Sequence, residues 1–186
     1  MARRRRRLYE GAIYHAGARG NRRQAIFADD RDRRTYLSLL TETCRRYGWL
    51  CHSYCLMGNH YHLLLETPYA NLDEGMRYLN GVYAIRFNRR HALDGHLFQG
   101  RYWAEEIVDD GELLRVVRYI SRNPVEAGLC KRAEQWQWSS HRLTIAPTTG
   151  FDPLLTVRLV LGALGARRSG LPVARARLRR LVDEPA

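Results

Sequence analysis

Residues 49–67 constrain the fold more than any other stretch of the chain. The run WLCHSYCLM at 49–57 is apolar and rich in β-formers, Gly58-Asn59 is a tight-turn dipeptide, and residues 61–67 (YHLLLET) form a second such run that stops at Pro68. This pattern predicts a β-hairpin with His60 and His62 at the start of its second strand. Residues 12–19 (AIYHAGAR) read as an earlier strand, with Gly17 and Gly20-Asn21 leading into a turn. Between them, Tyr36, Leu37, Leu40, Cys44 and Tyr47 recur at helical spacing, with Asp29 or Asp30 as cap and Gly48 as stop.

Beyond the hairpin, Asn71 and Glu74 resemble a capping box, and Leu72, Met76, Leu79, Tyr83 and Phe87 mark a helix to about His91. Residues 97–108 read as a fourth strand, and Asp109 or Asp110 caps a third helix. The order β-α-β-β-α-β, then α, predicts an α+β fold of ferredoxin-like, split βαβ type. It has a four-stranded antiparallel sheet, two helices on one face, and an extra tyrosine-bearing helix free to cover part of the other.

With 186 residues and 45% hydrophobic content, the chain can bury one compact core. One main folded unit is expected at 1–146 and an extension of unknown role at 147–186. The extension reads as a short apolar helix at 154–164, a linker at 165–172 and a basic helix at 174–182. No apolar run approaches the roughly 20 residues of a membrane span, and the arginines at 3–7 lead into Leu8-Tyr9-Glu10, not a secretory segment. No membrane association and a cytoplasmic location are therefore expected. Cys44, Cys51, Cys55 and Cys130 lack CxxC spacing and read as reduced packing residues; Cys51 and Cys55, four apart on a strand, would lie about 13 Å apart.

A net charge of +12, carried almost entirely by arginine, points to nucleic acid. The competing reading is a soluble protein with scattered charge. A membrane-surface helix is disfavoured because no segment joins a basic face to a strong apolar one. The arginines at 3–7 fit either a DNA backbone or a solvated tail. Trp136 and Trp138 either stack on bases or anchor a loop, and His15 and His52 are sheet residues that could face DNA.

His60 and His62 share one face of their strand, about 7 Å apart, as either a metal-ligand pair or a buried pair bonded to backbone. Two imidazoles alone favour zinc, copper, nickel or iron; a carboxamide oxygen and water make Mn²⁺ or Mg²⁺ tolerable. On the third helix, Leu113, Val117 and Ile120 form an apolar stripe. Glu112, Arg115, Tyr119 and Asn123 cluster about 80–160° from its centre. Pro124 should end the helix at Asn123, leaving that side chain free near the last turn.

The runs LMGNHYHLLLETP (56–68), LFQGRY (97–102) and YISRNPVEAGL (119–129), followed by WQWSSHR, resemble the single-tyrosine HUH transposases, most closely the REP-associated tyrosine transposase branch. The likeness covers about residues 8–145 and fails beyond. It implies a metal-binding pair at His60 and His62, a third ligand at Asn123, a nucleophile at Tyr119, and Mg²⁺ or Mn²⁺ as cofactor. It also implies single-stranded DNA beside a hairpin as substrate, cut through a 5′-phosphotyrosine intermediate, with the protein a monomer or homodimer. Arg101, Arg115, Arg118 and Arg122 are candidates for holding phosphates, against an ordinary solvated surface. A catalytically silent nucleic-acid-binding protein of the same fold is the first alternative, although no RNP1-like pattern is present. A metal-dependent hydrolase with water as nucleophile is the second.

Overall fold

The computed structural model describes residues 8–146 and 153–184, so the readings made for residues 3–7 and for the 146/147 boundary segment lie outside the described residues. The chain runs β1 (Ala12–Arg19), α1 (Asp30–Tyr47), β2 (Leu50–Leu56), β3 (His60–Thr67), α2 (Leu72–His91), β4 (Trp103–Ile107) and α3 (Asp110–Glu126). Three more helices follow, α4 (His141–Ile145), α5 (Arg158–Ala163) and α6 (Ala166–Asp183). The strands form one antiparallel sheet in the order β2-β3-β1-β4. This is the expected split βαβ arrangement.

Strand alternation assigns the two faces. Ala12, Tyr14, Ala16 and Ala18 of β1, with Tyr61, Leu63 and Leu65 of β3, pack beneath α1 and α2 against Tyr36, Leu40, Met76 and Tyr83. Leu64 and Ile107 point the other way, into a second core with Leu113, Val117 and Ile120 of α3, Val160 and Leu161 of α5, and Ala174, Leu178 and Val182 of α6. Both faces are covered, which is why β3 can carry three consecutive leucines. His15, Gly17 and His62 share the parity of Leu64 and so lie on the α3 face. Among the described residues no helix is long and apolar enough to cross a membrane.

Local chemistry sets the helix ends. Asp29 accepts from the Asp32 amide at 3.1 Å and Asp109 from the Glu112 amide at 2.7 Å, satisfying first-turn donors of α1 and α3. Gly48 closes α1 at φ 72°, a left-handed conformation that favours glycine.

The structure departs from the sequence reading in several places. Asn71 does not cap α2: its Oδ1 accepts from the Trp49 indole at 2.7 Å and its Nδ2 donates to the Tyr47 carbonyl at 2.8 Å, pinning the end of α1 to the start of α2. The fourth strand is limited to Trp103–Ile107, because residues 97–99 touch β1 only through isolated backbone bonds at its end. Helix α3 runs through Pro124 to Glu126. Pro124 is buried and backbone bonding resumes with Ala127 to Asn123, so tertiary packing overrides the local penalty. The expected linker at 165–172 is largely helical, broken at Gly170 (φ 80°), and α5 is shorter than 154–164. A bulge at His52 shifts the β2 register, which puts Cys51 in the first core and Cys55 in the second. All four cysteines are free.

Candidate active site

The site lies where the start of β3 meets the middle of α3. His60 and His62 present their rings perpendicular to each other with centroids 5.0 Å apart. The Asn123 carboxamide sits between them, Oδ1 at 3.2 Å from His60 Nε2 and Nδ2 at 3.3 Å from His62 Nε2. One turn earlier on the helix, the Tyr119 ring stands edge-on to His62 at 5.2 Å and to His15 at 5.8 Å. Tyr119 is 45% exposed, the accessibility a nucleophile requires and a core tyrosine lacks. His15, His60, His62 and Tyr119, together with Arg19, Trp103, Glu105, Glu112 and Arg115, line a cleft of about 530 Å³, and Asn123, itself buried, meets two of its lining residues, His60 and His62.

Gly17 makes the cleft possible. A Cβ there would lie 2.4 Å from the Tyr61 carbonyl oxygen and 2.6 Å from the Trp103 ring. Only glycine lets Trp103 cross β1 and pack edge-on against His15 at 4.6 Å.

Each histidine is held through the nitrogen that faces away from Asn123. Asn59 Nδ2 donates to the Arg23 carbonyl at 2.9 Å, which makes its Oδ1 an acceptor; His60 Nδ1 therefore donates to it at 2.7 Å. His60 Nε2 is left with a lone pair that faces the Asn123 oxygen, another acceptor. A cation shared by the two atoms resolves that opposition. The alternative is a half-turn of the carboxamide with the His62 proton on Nε2. His62 Nδ1 in turn meets His15 Nε2 at 3.1 Å.

Electrostatics favour neutral rings. Burial, reinforced by His15, His60 and Arg19, pushes His62 down to about 2, and burial pushes His15 down to about 4. His60 is lowered by burial and by the Arg19 charge. Neutral imidazole is the form that binds a metal. Among the described residues no cluster of three or more His, Cys, Asp or Glu could hold an ion. A cation here would therefore take two imidazole nitrogens and the Asn123 oxygen, a mixed set with positions left for water or phosphate that suits Mn²⁺ or Mg²⁺.

Of the four arginines singled out from sequence, only Arg115 lines this cleft. Arg118 donates to the carbonyls of Leu181 at 3.0 Å and Glu184 at 2.7 Å, and Arg122 to that of Val182 at 2.8 Å, so both clamp the end of α6. Arg101 lines a second cavity. His52 bonds Glu66 and the Thr156 carbonyl and does not face the cleft. Trp136 donates to the Leu56 carbonyl and Trp138 is buried, so both anchor a loop. The sequence reading missed Arg19, Trp103, Glu105 and the ring contact of His15. The only signals were the shared parity of residues 15, 17 and 19 on β1 and that of residues 103 and 105 on β4.

Residues 9–123 match the family model described as Transposase IS200 like. A protein of Haemophilus influenzae (strain ATCC 51907) assigned as a REP-associated tyrosine transposase is 28% identical over 119 residues, covering 58% of this chain and 68% of that protein. The solved structure of a REP-associated tyrosine transposase bound to a REP hairpin superposes with a TM-score of 0.68 at 18% identity, over 84% of this chain and 92% of that one, a likeness of fold. The family match begins before β1 and ends on Asn123, so it spans the sheet and all four converging groups, and the chain belongs to the IS200-like transposase family.

Proposed function

We propose that this chain is a transposase that cuts and rejoins hairpin-associated single-stranded DNA, with Tyr119 as nucleophile and with Mg²⁺ or Mn²⁺ held by His60, His62 and Asn123. The observation that carries the reading is the convergence of two imidazoles and an exposed tyrosine on one cleft, with a buried carboxamide meeting both imidazoles from behind it. All four groups come from one chain, so the reading needs no second copy.

Phenols ionise near pH 10 and are weak nucleophiles at neutrality. The bound cation would polarise the scissile phosphate and offset charge on its oxygens. Arg19 and Arg115 in the cleft are placed to hold the neighbouring phosphates. The Tyr119 hydroxyl releases its proton as its oxygen bonds to phosphorus and the bond to the 3′-oxygen breaks; that oxygen takes up one proton in exchange and leaves as a 3′-hydroxyl. The product remains a phosphodiester, so a second DNA 3′-hydroxyl reverses the step without ATP. His15 and Asn59 keep the ligand rings oriented throughout. Residues 1–146 would be the catalytic unit, with 147–186 as an extension whose α6 steadies α3, and a cytoplasmic location would fit a DNA-cutting enzyme of this kind.

The test is an adduct assay with labelled single-stranded hairpin DNA from the gene's own flanks, Mn²⁺ or Mg²⁺, and wild type beside Tyr119→Phe on a denaturing gel. A metal-dependent adduct lost in the variant is expected. Cleavage without an adduct would indicate water as nucleophile; binding with neither would indicate a silent binder.

A further inference from the structure

A second cavity of about 620 Å³ lies between α2 and residues 95–102, large enough for a nucleotide. Gly81 forms part of its wall from the middle of α2. It has no positive φ, and a Cβ there would meet nothing within 4 Å, so neither backbone conformation nor packing calls for glycine. A glycine inside a helix costs about 1 kcal/mol relative to alanine. What it provides is room, as does Ala84 one turn on.

The rest of the wall suits a nucleobase. Phe98 is held edge-on to Tyr61 at 6.3 Å and contributes an aromatic surface. Asn80 accepts the Tyr61 hydroxyl on Oδ1 at 2.6 Å, which leaves its Nδ2 hydrogens to be given to a base carbonyl. Arg77 and Arg101 add positive charge for the attached phosphates.

Position links this cavity to the catalytic cleft. Tyr102 and Trp103 are consecutive, yet Tyr102 lines the second cavity and Trp103 the cleft. Arg19 and Asn21 at the end of β1 divide in the same way. A strand with a phosphate in the cleft needs only to pass over the start of β4, an edge strand, to reach the second cavity.

We propose that the cavity between α2 and residues 95–102 is a subsite for a nucleobase of the single DNA strand whose phosphate occupies the catalytic cleft, and that Gly81 is there to admit it. The proposal rests on the transposase reading for its substrate. Base stacking and hydrogen bonding there select unpaired DNA, because a paired base has its edge occupied and its faces stacked.

The experiment measures fluorescence anisotropy in chelator, so that no strand is cut, with an oligothymidylate of about 12 nucleotides and an abasic strand of equal length. Wild type should bind the oligothymidylate about tenfold or more tighter than the abasic strand. Gly81→Leu should erase that preference while its unfolding temperature stays at or above wild type; Ala84→Leu is a second blocker on the same helix face. Equal affinity of wild type for the two strands, no binding of either, or a preference retained by both folded blockers would overturn the subsite. The hairpin adduct assay separates the two readings. An adduct with blockers that keep the preference removes the subsite alone, and a preference lost in the blockers with no adduct in wild type removes the nuclease alone.

Discussion

His60 illustrates how much of the proposed metal site lies outside the residues that would hold the ion. Its useful lone pair depends on Asn59, whose own orientation is set by a backbone carbonyl at Arg23. Supporting bonds of this kind commonly change metal affinity by about 10- to 100-fold. Asn59→Leu should therefore weaken Mn²⁺ binding by about tenfold in titration calorimetry, with the unfolding temperature little changed. Unaltered affinity would show that His60 chooses its tautomer without help. That His60 and His62 would share a face, and Tyr119 and Asn123 likewise, was legible because spacing within one element predicts it. Asn59, His15 and Arg19 were not, since each acts through a bond to a different segment.

At the scale of elements, α3 matters most because it carries both Tyr119 and Asn123. Arg118 and Arg122, each next to one of them in sequence, point away from the cleft and donate to the last carbonyls of α6. Cations at a helix C-terminus satisfy orphan acceptors and suit the helix dipole. The double variant Arg118→Met with Arg122→Met should lower the rate of adduct formation about tenfold and leave the salt dependence of DNA binding unchanged, because both guanidinium groups are already engaged by α6 carbonyls. A log-log salt slope reduced by about 0.7 per arginine would show phosphate contacts instead. Periodicity located α3 well. It placed the end too early, at Asn123, because the rule about proline is local and burial of Pro124 is not.

For the whole molecule, two cores on opposite faces of one sheet tie stability to pH through buried histidines. Burial pushes His141, whose Nδ1 has no partner, down to about 4, as it does His15. Both bind a proton more readily when unfolded, near the ordinary value of 6.5. Their contribution is thus full above about pH 6.5 and is lost as pH falls towards 4. Unfolding temperatures should decline across that window, and His141→Leu should flatten the decline; an unchanged slope in thermal melts would sink this assignment. The sequence by itself determined the order of strands and helices up to α3, the face an apolar residue takes wherever its element stays regular, and which residue types could bind a metal or attack a phosphate, because periodicity and residue chemistry are local. Only the tertiary structure decided which arginines face the cleft and which hold α6, which amide locks which histidine, that Gly17 seats Trp103, and that Gly81 lines a second cavity. Those outcomes depend on segments far apart in the chain being brought within a few ångströms by packing of the two cores, and no pattern within one segment encodes that distance.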